Sequence, residues 1–217
     1  LLIFLLIAAY QSFSSIVSPD SQNPISDKQA DGRNRILDVA ELLFQARGYT
    51  AVTMRDIAKA VGMRQASLYY HFSSKEELFV SVRERLFERH RIGLQNVLHR
   101  TEGELRSQLE GVTDWFLSQH PINFHAMMQT DMPSLSQEAK ERLSNAINQA
   151  IFEPIGQIFT TAQANHRIGA VRPELLVGFL LSLLESISVV YSSEPVSYKK
   201  EIVDEMILVL LEGIQRR

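Results

Sequence analysis

The chain has 217 residues, a formal net charge of −3 and no cysteine. That length buries a sizeable core, the absence of cysteine rules out disulfides and thiolate metal sites, and the weak net charge argues against a generic polyanion binder. The charge is unevenly placed, however. From Arg33 to Lys75 the basic residues Arg33, Arg35, Arg47, Arg55, Lys59, Arg64 and Lys75 face only Asp38, Glu41 and Asp56. A basic head on an acidic body suits a protein that sets one end on phosphates. Helix formers abound, Gly and Pro are sparse, and strand-like alternation is hard to find, so an all-α fold is expected.

The run Leu1–Ala9 is strongly apolar but too short to span a bilayer as a helix. It resembles the apolar region of a signal peptide without the basic residues that should precede it. The reading adopted is a stretch upstream of a native start such as Val17; a remnant of a longer apolar segment and a true signal or anchor are the alternatives. Residues 18–31 are polar and turn-rich, so 1–31 is read as an apolar, then disordered, leader.

A first helix is expected from about Gly32 to Arg47, with Ile36, Ala40, Leu43 and Phe44 inward and Gly48 ending it. Thr53 to Phe72 then reads as two short helices about a tight turn. Thr53 caps the first and Asp56 completes a capping box. Ile57, Ala58 and Val61 give it a buried face, and Gly62 supplies a left-handed turn. The second turns Leu68 and Phe72 inward and offers Arg64, Gln65, Ser67, Tyr69, Tyr70 and His71 outward, as a helix-turn-helix reader of the major groove requires. Ser74 and Glu77 form a second capping box, opening a long helix to about Leu98 with Arg83, Arg85, Arg89, His90 and Arg91 on exposed faces.

The composition changes after Gly103. Helices are expected at about Leu105–Gln119, Ile122–Thr130 and from Ser136 onward, the last kinked or split by Pro154 and Gly156. Two further helices, about Pro173–Tyr191 and Tyr198–Gln215, are too apolar for one subunit to cover. Leu176, Phe179, Leu180, Leu183, Ile187, Ile202, Met206 and Leu210 are therefore read as half of a two-fold dimer interface. A membrane span at 173–191 is the alternative; Glu185, the serines and the short apolar run argue against it. Trp115, Phe116, Phe124, His125, Met128 and Phe152 read as lining of a ligand pocket or as plain core. His120, His125 and Asp131 are imaginable metal ligands, but helical i, i+4 His spacing is missing and no metal is expected. Glycine-rich phosphate loops and nucleophile-elbow patterns are absent, so neither an enzyme nor a cofactor is expected.

The segment from about Gly32 to His90 resembles the DNA-binding domain of the tetracycline-repressor (TetR) family. The resemblance rests on Ile36–Ala40 with Leu43–Phe44, Gly48–Tyr49, Thr53–Ala58, Val61–Gly62, Ser67-Leu68-Tyr69-Tyr70-His71-Phe72 and Lys75–Leu78. It implies an all-α fold of about nine helices, with a three-helix helix-turn-helix DNA-binding domain at 32–90 and a helical effector-binding and dimerisation domain at 91–217. It also implies a cytoplasmic homodimer on a pseudo-palindromic operator, most readily a repressor released by a small-molecule effector. On this basis Arg64 and Gln65 are expected at base edges, and Ser67, Tyr69, Tyr70 and His71 at bases or phosphates. Thr53, Arg55 and Lys75 are expected at phosphates. Against these stand a packing role for Tyr69 and a solvated surface charge at Arg55. The rival functions are a DNA-binding protein of the same fold without a small-molecule effector, architectural or partner-regulated, and a membrane-attached or exported protein. An open apolar cavity in the second domain would favour the effector-responsive form.

Overall fold

The computed structural model describes residues 24–101 and 103–214. The apolar run Leu1–Ala9, the alternative start and the polar residues up to 23 lie outside the described residues. Among those described there are helices and turns and one isolated bridge residue, with no strand.

The helices are α1 (Pro24–Ala51), α2 (Met54–Val61), α3 (Gln65–His71), α4 (Lys75–Arg100), α5 (Leu105–Ser118), the single turn α6 (Phe124–Ala126), α7 (Gln137–Ile147), α8 (Glu153–Ala164), α9 (Pro173–Val190) and α10 (Val196–Ile214). A π-helical turn, Met127–Asp131, and a 3₁₀ turn, Met132–Ser134, follow α6, and a second π turn, Asn148–Phe152, joins α7 to α8. Two compact units divide within α1, one ending at Arg35 and the other beginning at Ile36. The buried apolar core belongs to the second, from Ile36 to Leu210.

α1 begins at Pro24 rather than near Gly32, so the helix takes in residues read from sequence as disordered leader. A proline at the first helical position has no N–H to leave unpaired, and no glycine intervenes before Gly32. Gly48 breaks the helix as expected: its φ of 75° and ψ of 168° lie outside helical geometry, and a further turn runs to Ala51.

The α2–α3 pair forms as its sequence dictates. The Thr53 hydroxyl accepts the Asp56 N–H at 3.1 Å, and the Asp56 carboxylate accepts the Thr53 N–H at 3.0 Å. Gly62 closes α2 in the left-handed region at φ 77° and accepts the chain reversal that a Cβ would strain. Ile57, Val61, Leu68 and Phe72 are buried with Ile36, Ala40 and Phe44. At the start of α4 only half of the expected box exists. Ser74 accepts the Glu77 N–H at 3.0 Å, but the Glu77 carboxylate pairs with Arg142 instead.

In the remainder, α4 packs against α5 and α7, and α5 packs against α10, α9 and α8. Pro154 neither splits nor sharply ends the long α7–α8 rod. Its missing N–H and its collision with the carbonyl four residues back are taken up by the π turn at 148–152, which re-spaces the hydrogen bonds ahead of it. α9 is long and apolar enough to cross a membrane by length and composition. Here its inner side (Leu176, Val177, Leu180, Leu181, Leu184, Ile187) is buried and it packs against α8, α10 and α5.

That burial corrects the dimer reading. Leu176, Leu180, Ile187 and Leu210 lie inside the protomer's own core, and Leu183, Ile202 and Met206 are half-buried; of the residues named from sequence only Phe179 is exposed. The uncovered apolar surface runs instead through Leu175, Phe179, Val189 and Val190 on α9 and Leu208 and Val209 on α10. Hydropathy identified the apolar helices but could not distinguish which side of each is covered by its own chain.

Candidate nucleic-acid interface and cavity

α3 is a seven-residue helix held by one buried residue, Leu68, with Phe72 buried just past its end. Everything else on it faces outward. Gln65, Ser67 and the cap residue Arg64 are exposed, His71 is half-buried, and Tyr69 and Tyr70 are 47% and 74% exposed. Tyr70 and His71 meet edge to face at 5.5 Å. At 47% exposure Tyr69 is not a core residue. Thr53 and Arg55 are exposed beside α3 at the start of α2.

Lys75 has a partner within the chain. Its Nζ donates to the Tyr49 carbonyl at 2.9 Å and lies 4.1 Å from the Tyr49 ring centroid. Partial burial lowers its pKa from the ordinary lysine value. Its first task is to tie the turn after Gly48 to the start of α4.

That turn is held from two further sides. The Tyr49 ring packs on Phe44 and Phe79, which meet each other edge to face at 5.0 Å. The Tyr49 N–H donates to Asp131 Oδ1 at 3.0 Å. Asp131 is 4% exposed, and its other oxygen accepts from Arg83 on α4 at 3.3 Å. Burial lowers the Arg83 pKa against the pull of Asp131, and its guanidinium lies over the Phe79 ring. Asp131, read from sequence as an imaginable metal ligand, is thus a bridge between the π turn at 127–131 and the base of the two-helix reader.

The expected exposed cations of α4 are mostly engaged. Arg85 pairs with Asp38 at 2.7 Å and Glu41 at 3.0 Å on α1, and Arg89 pairs with Glu41. Burial works to raise the Glu41 carboxyl, but the hydrogen bonds and charges of Arg89 and Arg85 outweigh it and hold it below the usual carboxylate range. On the opposite side Arg142 of α7 grips Glu77 and Glu84 at 2.9 Å each, and Glu76 accepts the Ser136 N–H at 2.8 Å. α4 is therefore fastened to α1 at one side and to α7 at the other, so motion in either is felt at both.

His90, expected on an exposed face, is 1% exposed. Its Nδ1 accepts the Trp115 indole N–H at 3.2 Å, and its ring stacks on Phe116 at 5.1 Å. Burial, helped by the neighbouring Arg89 charge and opposed by Glu41, pushes its pKa down to about 4. Trp115 also lies against Gly93, where a Cβ would overlap the indole.

A cavity of about 440 Å³ opens among α6, the two π turns and α9. Of the residues read from sequence as pocket lining or plain core, Phe124, Met128 and Phe152 line it. Trp115 and Phe116 do not; they belong to the His90 cluster, and His125 contributes a backbone N–H to Glu185 at 3.0 Å rather than a wall. The walls that sequence missed are Met127, Met132, Leu143, Ser144, Ile147 and Asn148, and the α9 face Gly178, Leu181, Ser182 and Glu185. The helical spacing of those last four was the available signal, masked by the apolar residues around them. Met127 belongs to the same five-residue π turn as Asp131, so one short element both walls the cavity and holds Tyr49.

Residues 36–82 match the family described as bacterial regulatory proteins, tetR family. Over 47 residues the chain is 45% identical to the biofilm operon icaADBC HTH-type negative transcriptional regulator IcaR of Staphylococcus epidermidis and 47% identical to that of Staphylococcus aureus strain Newman. The matched stretch is 22% of this chain and spans a quarter of the length of those relatives. Similarity of fold extends much further. A transcriptional regulator from Saccharomonospora viridis, solved with choline, superimposes with a TM-score of 0.68 at 21% identity over 87% of this chain and 100% of its own. Reduced NemR of E. coli does so with a TM-score of 0.66 at 20% identity over 85% and 97%. At such identities the likeness is one of architecture.

Proposed function

For a chain that carries the DNA-binding domain of the tetR family at residues 36–82, we propose a transcriptional repressor that binds a pseudo-palindromic operator as a homodimer and is released by a small molecule in the cavity. The observation that carries this is the α2–α3 unit. Its capped, glycine-turned backbone is rigid, its core side is Leu68 and Phe72, and its outer side is a row of hydrogen-bonding and aromatic groups. Arg64 and Gln65 stand where a helix entering the major groove first meets base edges, Arg suited to guanine and Gln to adenine. Ser67, Tyr69, Tyr70 and His71 extend the contact. Arg55 and Thr53 reach the flanking phosphates, and the Lys75 ammonium keeps a donor for the same purpose while it holds Tyr49. Repression follows the negative regulation named for the IcaR relatives. DNA being its target, the protein works in the cytoplasm.

The homodimer is supported by the stripe of Leu175, Phe179, Val189, Val190, Leu208 and Val209, left uncovered by one protomer. Two readers held at fixed separation read half-sites a helical turn or more apart, so a small change in their spacing breaks register. The cavity is joined to the reader through Met127, Asp131 and Tyr49. A ligand that fits one setting of the π turn better than the other shifts the DNA-binding equilibrium by that difference in affinity, and by no more.

The test is selection of bound sites from random duplexes, then titration of the selected site. An inverted repeat is expected. Arg64→Ala should flatten sequence preference by about 1–3 kcal/mol at one position, whereas Arg55→Ala should weaken all sequences alike and reduce the salt slope by about one. No enrichment over random DNA, or equal effects of the two substitutions on specific and random duplexes, refutes the assignment.

A further inference from the structure

The cavity carries one formal charge. On α9 the residues Gly178, Leu181, Ser182 and Glu185 share a face, which puts a carboxylate one turn from Leu181 and Ser182 on the cavity wall. One Glu185 oxygen accepts the His125 backbone N–H at 3.0 Å. Among the described residues no lysine, arginine or histidine side chain pairs with it. The facing surfaces are Phe124, Phe152 and three methionines. Aromatic faces present negative charge, and thioethers are polarisable and adapt their shape. Asn148, also on the lining, donates its amide to Glu153 at 2.6 Å. The lining thus offers a carboxylate, the Ser144 and Ser182 hydroxyls and π faces, and contains no basic group. Lys140 belongs to the adjoining groove, beside Glu141.

An anionic ligand would enter this cavity against Glu185 with no compensating cation. A neutral apolar ligand would strip water from that carboxylate and give nothing back. We infer that the cavity binds a lipophilic organic monocation, its charge against Glu185 and its hydrocarbon body against the phenylalanines and methionines. The volume matches a drug-sized molecule. The inference deepens the proposed effector site and rests on it for regulation, but not for binding.

The test uses the full chain and two probes of one shape and opposite charge, tetraphenylphosphonium and tetraphenylborate, by titration calorimetry, with operator release followed in parallel. The phosphonium should bind at least about tenfold more tightly than the borate. Glu185→Gln, which keeps an acceptor for the His125 N–H, should lose about tenfold or more of the cation affinity with an unchanged melting curve. Gly178→Met should block both probes, because a Cβ at Gly178 meets open space and the added side chain fills the cavity from a wall that tolerates it. Equal or stronger borate binding, no phosphonium binding, undiminished affinity in Glu185→Gln, or undiminished affinity in Gly178→Met overturns the cation assignment. Glu185-dependent binding without operator release upholds this assignment and refutes the effector role. Release by neutral or anionic compounds alone, blocked by Gly178→Met, refutes the cation and upholds the effector role.

Discussion

Removing the Asp131 side chain should separate the body from the reader. Asp131→Ala deletes the acceptor of the Tyr49 N–H at 3.0 Å and the countercharge of Arg83 at 3.3 Å in a site where the carboxylate is almost fully buried. An unpaired buried N–H costs about 1–3 kcal/mol. A buried guanidinium that loses its partner costs about 3–5 kcal/mol. The two penalties share one side chain and do not add, so a loss of about 3–5 kcal/mol is expected, a large part of the stability of an ordinary domain. Asp131→Asn keeps an acceptor for Tyr49 but leaves the Arg83 guanidinium without its countercharge, so its loss should lie at the lower end of the same range, about 3 kcal/mol. Arg83→Met in the Asn background removes the orphaned charge and should restore part of it. Urea unfolding of the four proteins, followed by circular dichroism, measures these differences. Where the Ala variant stays folded, the effect of cavity ligand on operator affinity should shrink while each affinity alone persists. A loss under about 1 kcal/mol for Asp131→Ala, or full ligand coupling in a folded Asp131→Ala, would refute the bridge.

Other expectations rest on single environments. His90 is held neutral with its pKa near 4, below its unfolded value near 6.5. The unfolded chain therefore takes the proton first, and stability fully present above pH 6.5 should fall by about 3 kcal/mol as pH drops toward 4. Unfolding free energies of His90→Gln measured across that window should lack this component; a wild-type-like slope would count against it. Gly93→Ala should destabilise by about 1–3 kcal/mol because the new Cβ overlaps the Trp115 indole, the reverse of the usual gain for Gly→Ala in a helix. Thermal melts of Gly93→Ala and Gly178→Ala, the latter in open space, should shift in opposite directions. Phe179→Glu with Val209→Glu should yield folded monomers by analytical ultracentrifugation, whereas Leu180→Glu, at a position buried within the protomer, should unfold the chain. A dimer that survives the surface pair would move the interface elsewhere.

Local chemistry was legible in the residues themselves. Thr53 with Asp56, Gly62, Leu68 and Phe72 specify caps, a turn and a buried side within one or two helical turns of themselves, so the α2–α3 reader and its outward row come from sequence without tertiary information. The all-α architecture was legible for the same reason, since periodicity and capping are local. Whatever depends on a partner far along the chain was not legible. His90 and Arg83 look like surface residues until Trp115 and Asp131 are brought against them, 25 and 48 positions away. The apolar helices α9 and α10 announced burial, but only packing against α5 and α8 divided them into a covered side and a free one. The π turns at Met127–Asp131 and Asn148–Phe152 left no sign in composition. Residue order was thus enough to specify a rigid two-helix reader on a helical body. Packing decided that a cavity stands behind it, that Glu185 gives that cavity its charge, and that Asp131 connects the cavity wall to the reader, because each of these is a meeting of residues that the chain keeps apart.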